Sequence, residues 1–227
     1  MRAANDTLSP TVALAAVLAT PVRFFHPDHL APVTRGLPQA QLAQFCQVPE
    51  FAARLNATIA QSIGTAGLQL QENTIKRMSR DEMMRPALRL LTAPYNVIEA
   101  LLRQFTAVRL QLAIRNCVLK ADRQRVRSVL GDAACNTALR EAPFFYANIA
   151  DNAARLPVAD DAEMPAVLEA GAAMMHSYIA SIDAGLAQVF AWRLPKAYLA
   201  EPIALEPAQL KTCARLLASK GSDGVGA

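Results

Sequence analysis

The chain has 227 residues, a hydrophobic fraction of 53%, only 6% aromatic residues and a formal net charge of +4. A composition rich in alanine, poor in glycine and weakly aromatic favours helices and speaks against an all-β fold. The charge is local: Glu72–Arg127 carries twelve basic and five acidic residues, whereas Glu141–Asp183 carries seven acids and Arg155 as its single base. Such a dipolar pattern is unlike a uniformly basic nucleic-acid binder and suits protein partners or pairing of the two halves.

The predicted fold class is all-α, a single compact multi-helix domain with long amphipathic helices and a polar acidic loop. Residues 1–21 are expected to form an amino-terminal extension, helical or mobile, 22–220 the helical domain, and 221–227 a disordered tail. A first helix spans Pro10 to Ala19. Its apolar run Val12–Ala19 resembles an export-signal core, but Asp6, the lone Arg2 and the bracketing Pro10 and Pro21 argue against export. No run reaches membrane-spanning length. The stretch Phe24–Pro38 (FFHPDHLAPVTRGLP) reads as turn-rich. Two short helices follow, opened by Pro38 and Pro49. In the second, Phe51, Leu55, Ile59 and Ile63 form an i, i+4 ladder that Gly64 stops. Ser79–Glu82 fits a capping box, with a break expected near Pro86 and a further short turn to Leu91.

Pro94 opens a long helix predicted to reach Lys120, with Ile98, Leu101, Leu102, Phe105, Val108, Leu112 and Leu119 along one side. Asp122 is placed to cap the next, basic helix and Gly131 to end it. Another helical stretch covers Ala133–Ala142, and Asp151–Pro165 reads as the acidic loop. A second amphipathic stripe runs from Leu168 through Met175, Tyr178, Ile179, Ile182, Leu186 and Val189 to Phe190, and WRLPK stops it because Pro195 disfavours helix at Leu194. In the last helix, opened by Pro207, Leu210, Cys213, Leu216 and Leu217 face inward.

The inventory of reactive groups is sparse. Cys46, Cys117, Cys135 and Cys213 show no CxxC spacing, and three of them fall on or next to apolar helical positions, where a reduced cysteine acts as a small hydrophobe, which suggests a reducing, cytoplasmic setting. His26, Asp28 and His29 cluster in HPDH, but His176 is remote and a metal would lack further ligands. His176 reads as a packing or surface residue, and Trp192 as closing a core. No phosphate-binding glycine loop occurs, and Cys117 has no base beside it. The expectation is therefore no catalytic residue, no metal and no cofactor.

The remaining signal is basic. Arg103, Arg109, Arg115, Lys120, Arg123, Arg125 and Arg127 accompany a single acid, Asp122, between positions 103 and 127. Arg115, Arg123, Arg125 and Arg127 are the candidate partner-binding residues, chosen for their density near a helix end. The rival reading is a DNA-binding regulator using segment 115–140 as a helix-turn-helix, with Gly131 in the turn and Asn136, Thr137 and Arg140 offered to bases. Arg127 and Asp132 fit it poorly, since that motif packs small or apolar residues there.

Three segments in order, FFHPDHLAPVTRGLP, LQLAIRNCVLKADRQRVRSVLG and FAWRLPKAYL, resemble the K-type sorting-platform proteins of type III secretion systems (SctK; YscK- and PscK-like). The resemblance extends from about Val22 to Leu217, and the middle segment carries most of it. It implies a non-enzymatic cytoplasmic adaptor of the injectisome, peripheral at its inner-membrane base and without cofactor or nucleic-acid partner. Its implied partners are the cytoplasmic domain of the D-type inner-membrane ring protein and the Q-type pod protein, and indirectly the L-type stator and the N-type ATPase. Membrane association is implied only through those partners.

Overall fold

Proline, glycine and capping side chains set most helix boundaries in the computed structural model, which describes residues 10–65, 68, 74, 77, 80–82, 84–151, 164–198 and 202–221. Every regular element among the described residues is helical, as the composition predicts. The chain divides into two compact units interleaved in sequence: Met1–Pro94 with Ile182–Lys196, and Tyr95–Ser181 with Ala197–Ala227. The first contains α1 (Pro10–Ala19), α2 (Pro21–Phe24), α3 (Pro27–Thr34), α4 (Gln39–Phe45), α5 (Pro49–Ile63) and α6 (Met84–Thr92). The second contains α7 (Tyr95–Arg109), α8 (Gln111–Arg115), α9 (Lys120–Leu130), α10 (Asp132–Asn136), α11 (Ala142–Phe145) and α12 (Met164–Ile182). Then α13 (Ala184–Arg193) returns to the first unit and α14 (Pro207–Gly221) to the second.

In the first unit α1 packs on α5 and α6, α2 and α3 on α5, and α13 on α6. Pro27 and Pro49 open α3 and α5, where a missing N–H leaves no gap because no intrahelical acceptor exists. The stretch predicted as turn is thus largely helical. His26 Nδ1 accepts from the Asp28 amide at 3.3 Å and caps α3, which ends on Arg35 and Gly36 in left-handed geometry. Gly64, at φ 82°, stops α5 as expected. Of the predicted ladder on that helix Ile59 is buried, Leu55 and Ile63 are half-buried and Phe51 is exposed. The predicted break at Pro86 does not occur, because α6 starts at Met84 and places the proline in the first turn. Ser79 of the expected capping box lies outside the described residues.

The apolar stripe predicted to continue from Leu168 to Phe190 is two helices. Asp183 leaves helical geometry (φ −163°, ψ 129°), and its carboxylate accepts from Leu186 N at 3.0 Å. That capping bond starts a new helix. The same carboxylate accepts from Thr74 Oγ1 at 2.6 Å. At the far end of α13 the guanidinium of Arg193, 2% exposed, donates to backbone carbonyls. Nε reaches Phe24 O at 3.2 Å, Nη1 reaches Leu90 O at 3.3 Å and also Leu91 O, and Nη2 reaches Ala93 O. These include carboxyl-terminal carbonyls of α6, which carry the negative end of its dipole; Leu90 O also accepts from Ala93 N at 3.3 Å. Burial pushes the Arg193 guanidinium down to about 10, so it stays cationic at neutral pH.

The start of α3 is bonded to the end of α13. His26 N donates to Trp192 O at 2.9 Å, His29 Nε2 lies 3.0 Å from Leu194 O, and Lys196 N donates to Asp28 Oδ2 at 3.1 Å. The Phe25 and Trp192 rings meet at a tilt of 40° with centroids 5.3 Å apart. Trp192 is buried there, as the sequence predicts, and Leu194 is extended ahead of Pro195.

In the second unit Ile98, Leu101, Leu102, Phe105 and Val108 of α7 are buried as predicted, but the helix does not run on to Lys120. Asp151 N donates to Arg109 O at 2.9 Å while the Arg109 guanidinium pairs with its carboxylate at 3.1 Å. An acceptor is thereby claimed from outside the helix, next to the deviation at Leu110 (φ −87°, ψ 10°) that separates α7 from α8. The chain leaves helix again between Asn116 and Leu119, so Leu119 is exposed and is the N-cap position of α9. Asp122 does not cap α9; it sits in the first turn, where its charge complements the amino-terminal dipole. Gly131 ends α9 as expected. The predicted helix Ala133–Ala142 is α10, a π-helical turn at Thr137–Glu141 and α11, with Pro143 tolerated at the start of α11.

A Cβ at Gly171 of α12 would lie 2.5 Å from both Leu102 O and Thr106 Oγ1 of α7, so only glycine permits this helix crossing. Cys213, Leu216 and Leu217 of α14 are buried and Leu210 is half-buried. Lys220 pairs with Glu141 at 2.8 Å, and Tyr146 Oη meets Ser219 Oγ at 3.2 Å. The first nine residues of the amino-terminal extension, positions 152–163 of the acidic loop and the tail beyond Gly221 lie outside the described residues.

Three outcomes are expected in urea denaturation. Arg193→Met leaves buried carbonyls without their donor and lowers stability by about 3 kcal/mol or more; an unchanged midpoint would contradict this. Gly171→Ala lowers it by about 1–3 kcal/mol despite alanine's better helix propensity, because the obstructing atoms include backbone. Desolvation lowers His26, His29 and His176 below the ordinary value of 6.5, although Asp28 opposes it at His26 and the Leu194 carbonyl opposes it at His29. The unfolded chain therefore binds more protons just below that value. Stability should be greatest above that value and fall as the pH is lowered through and below it, with a shallower fall in His176→Gln.

Candidate protein-docking site

The sequence of α9, KADRQRVRSVL, supplies few apolar residues, so the helix can bury only a narrow strip. Leu130 is buried, Val126 and Val129 are half-buried, and these pack against a core containing Leu110, Ile114, Ala134, Cys135 and Leu168. The opposite face, with Arg123, Gln124, Arg125, Arg127 and Ser128, is exposed.

Beside this helix is a pocket of about 230 Å³. Arg115, Arg123 and Arg127 line it together with Ile114, Val126 and Leu139, and the two thiols Cys117 and Cys135 complete the wall. Three of the four arginines singled out from the sequence thus converge, while Arg125 lies outside the lining. Arg123 Nε donates to Cys117 O at 2.7 Å, which fixes the α8–α9 connection and holds the guanidinium at the pocket. Arg127 Nε lies 3.7 Å from Asp132 Oδ1, with both side chains largely exposed; a pair so solvated neutralises little. Arg115 and Arg125 are exposed and have no ion pair among the described residues.

The pocket is apolar as well as basic at its edge. Val118 and Leu119, which directly follow Cys117, are 80% and 64% exposed, and Leu139 is 40% exposed. Spacing had placed Leu119 in the buried stripe. It is seven residues after Leu112, and no glycine or proline announces the irregular segment between them. Leu139 carries no polar pattern to mark it either; its exposure follows from the π-helical turn, which shifts the register of the side chains after Asn136.

The pocket offers a ligand guanidinium donors, positive charge and apolar surface. Burial raises the Cys135 thiol, against the opposing pull of Arg127, so it is not an activated thiolate. Among the described residues no group of three or more metal-ligating side chains occurs. His26 and His29 serve as a helix cap and a partner of Leu194 O instead. The rival helix-turn-helix reading needs Asn136, Thr137 and Arg140 to face a groove, and Thr137 is buried. None of the described helices is long and apolar enough to cross a membrane.

The family model described as YOP proteins translocation protein K (YscK) matches residues 16–221. Comparison with curated proteins and with solved structures found no match.

Proposed function

The chain belongs to the YscK family and is a type III secretion protein, and from that premise we propose that it acts as a non-enzymatic adaptor in the cytoplasm, at the inner-membrane base of the injectisome. In this reading it joins the cytoplasmic domain of the D-type ring protein to the Q-type pods, and through them the L-type stator and N-type ATPase. The observation that carries it is the set of exposed arginines 115, 123, 125 and 127, which have weak or no acidic partners within the described chain. Uncompensated charge of one sign on a fixed helical scaffold favours a complementary protein surface and speeds encounter with it. The sparse reactive inventory is consistent with a role in assembly.

Reversing Arg115, Arg123, Arg125 and Arg127 together to Glu should abolish co-purification with either the ring-protein domain or the Q-type protein, with the helical circular-dichroism signal unchanged. Undiminished binding to both partners would contradict the assignment. Salt-sensitive retention of duplex DNA by the unaltered protein, with neither partner bound, would favour the regulator instead.

A further inference from the structure

We infer that the pocket between α8, α9 and the π-helical turn receives an acidic segment of a partner protein that inserts one apolar side chain between Arg115, Arg123 and Arg127. This rests on the adaptor reading and specifies the chemistry of one of its contacts. The apolar lining residues Ile114, Val126 and Leu139 have nothing to offer a bare anion. At about 230 Å³ the pocket falls below the roughly 300 Å³ at which small-molecule clefts begin. It suits an anchoring side chain.

The rim gives a second indication. Leu139 in the lining is 40% exposed, and Val118 and Leu119, which follow the lining residue Cys117 in sequence, are 80% and 64% exposed; such apolar area is removed most readily by a protein surface. A nucleic-acid backbone would satisfy the arginines but would strand those three side chains against phosphates. The charge completes the assignment. Three guanidinium groups around one small cavity repel each other, and a partner's carboxylates relieve that repulsion while pairing bidentately. Arg123 is already oriented by Cys117 O, so less of its freedom is lost on binding. Arg125 lies off the pocket and contributes only to the general field.

The test is titration calorimetry of the full chain with the isolated ring-protein domain and with the Q-type protein, each at low and high salt. For one partner, Leu139→Ser should weaken binding about tenfold at both salt concentrations, the loss expected of an apolar anchor. Replacing Arg115, Arg123 and Arg127 together by Gln should weaken it at least about tenfold at low salt and flatten its salt dependence, while Arg125→Gln changes it by less than about twofold. Circular dichroism and urea midpoints establish that the variants are folded. If both partners bind every variant like the unaltered chain, the pocket assignment fails and the adaptor reading stands. If the arginine variant loses binding but Leu139→Ser does not, the apolar anchor is refuted. If the unaltered chain binds neither partner, the adaptor reading itself fails. Self-association that the same variants abolish would make a second copy the occupant and overturn the proposal.

Discussion

A ten-residue helix held at each end by a buried charge is the constraint on which the first unit depends. Asp183 caps the amino terminus of α13, and Arg193 lies in its last turn, so both charges complement the helix dipole. Each is also committed elsewhere: Asp183 to Thr74, Arg193 to carbonyls of Phe24, Leu90, Leu91 and Ala93. A buried guanidinium is costly unless its donors are used, and here backbone acceptors use them. Without the break at Asp183 the apolar stripe of α12 would simply continue. With it, residues distant in sequence from α6 complete that helix. The HPDH and WRLPK segments, two of the three that resemble the K-type family, meet at the end of α13. Their histidines, tryptophan and arginine are accounted for as one hydrogen-bonded junction.

The third segment lies in the second unit and uses the same residue type differently. Several arginines between Glu72 and Arg127 are neutralised where they stand. Arg77 pairs with Asp81 at 2.6 Å, Arg103 with Glu99 at 2.7 Å and Arg109 with Asp151 at 3.1 Å. Among the described residues, Arg115 and Arg125 on α8 and α9 have no ion pair and Arg127 has only a solvated one; Arg80, and Arg85 and Arg89 on α6, are also exposed without an ion pair. Charge counted along the sequence therefore overstates the basic surface where Arg77, Arg103 and Arg109 are paired. Arg193 and Arg123 illustrate the division. One is sealed among carbonyls and holds a fold together; the other is tethered through Nε to Cys117 O on an exposed helix.

The all-helical class was legible from composition, and so were boundaries with a strong local device: Pro49 and Gly64 around α5, Gly131 after α9, Pro207 before α14. Misreadings arose where a tertiary contact overrode a local pattern, or where one residue type serves two purposes. Pro27 lies in a stretch that reads as turn and Pro86 reads as a break, yet each occupies a first turn. The kink at Leu110 leaves no mark in an apolar, well-spaced sequence, since Asp151, distant in the chain, claims the carbonyl of Arg109. Asp183 did carry a signal, because aspartate is a strong N-cap, but the hydrophobic ladder across it is unbroken. For the docking site the arginines were visible and the pocket was not. Val118, Leu119 and Leu139 are ordinary apolar residues until the α8–α9 connection and the π-helical turn expose them.

The central claim is that the surface built by α8, α9 and the π-helical turn is where a secretion-apparatus partner binds. Hydrogen–deuterium exchange of the full chain, alone and saturated in turn with the ring-protein domain and the Q-type protein, addresses it most directly. The account predicts that one of the two partners slows amide exchange in a patch spanning residues 114–139, strongest around the α8–α9 connection. Saturating binding by both partners with exchange in that patch unchanged would contradict it.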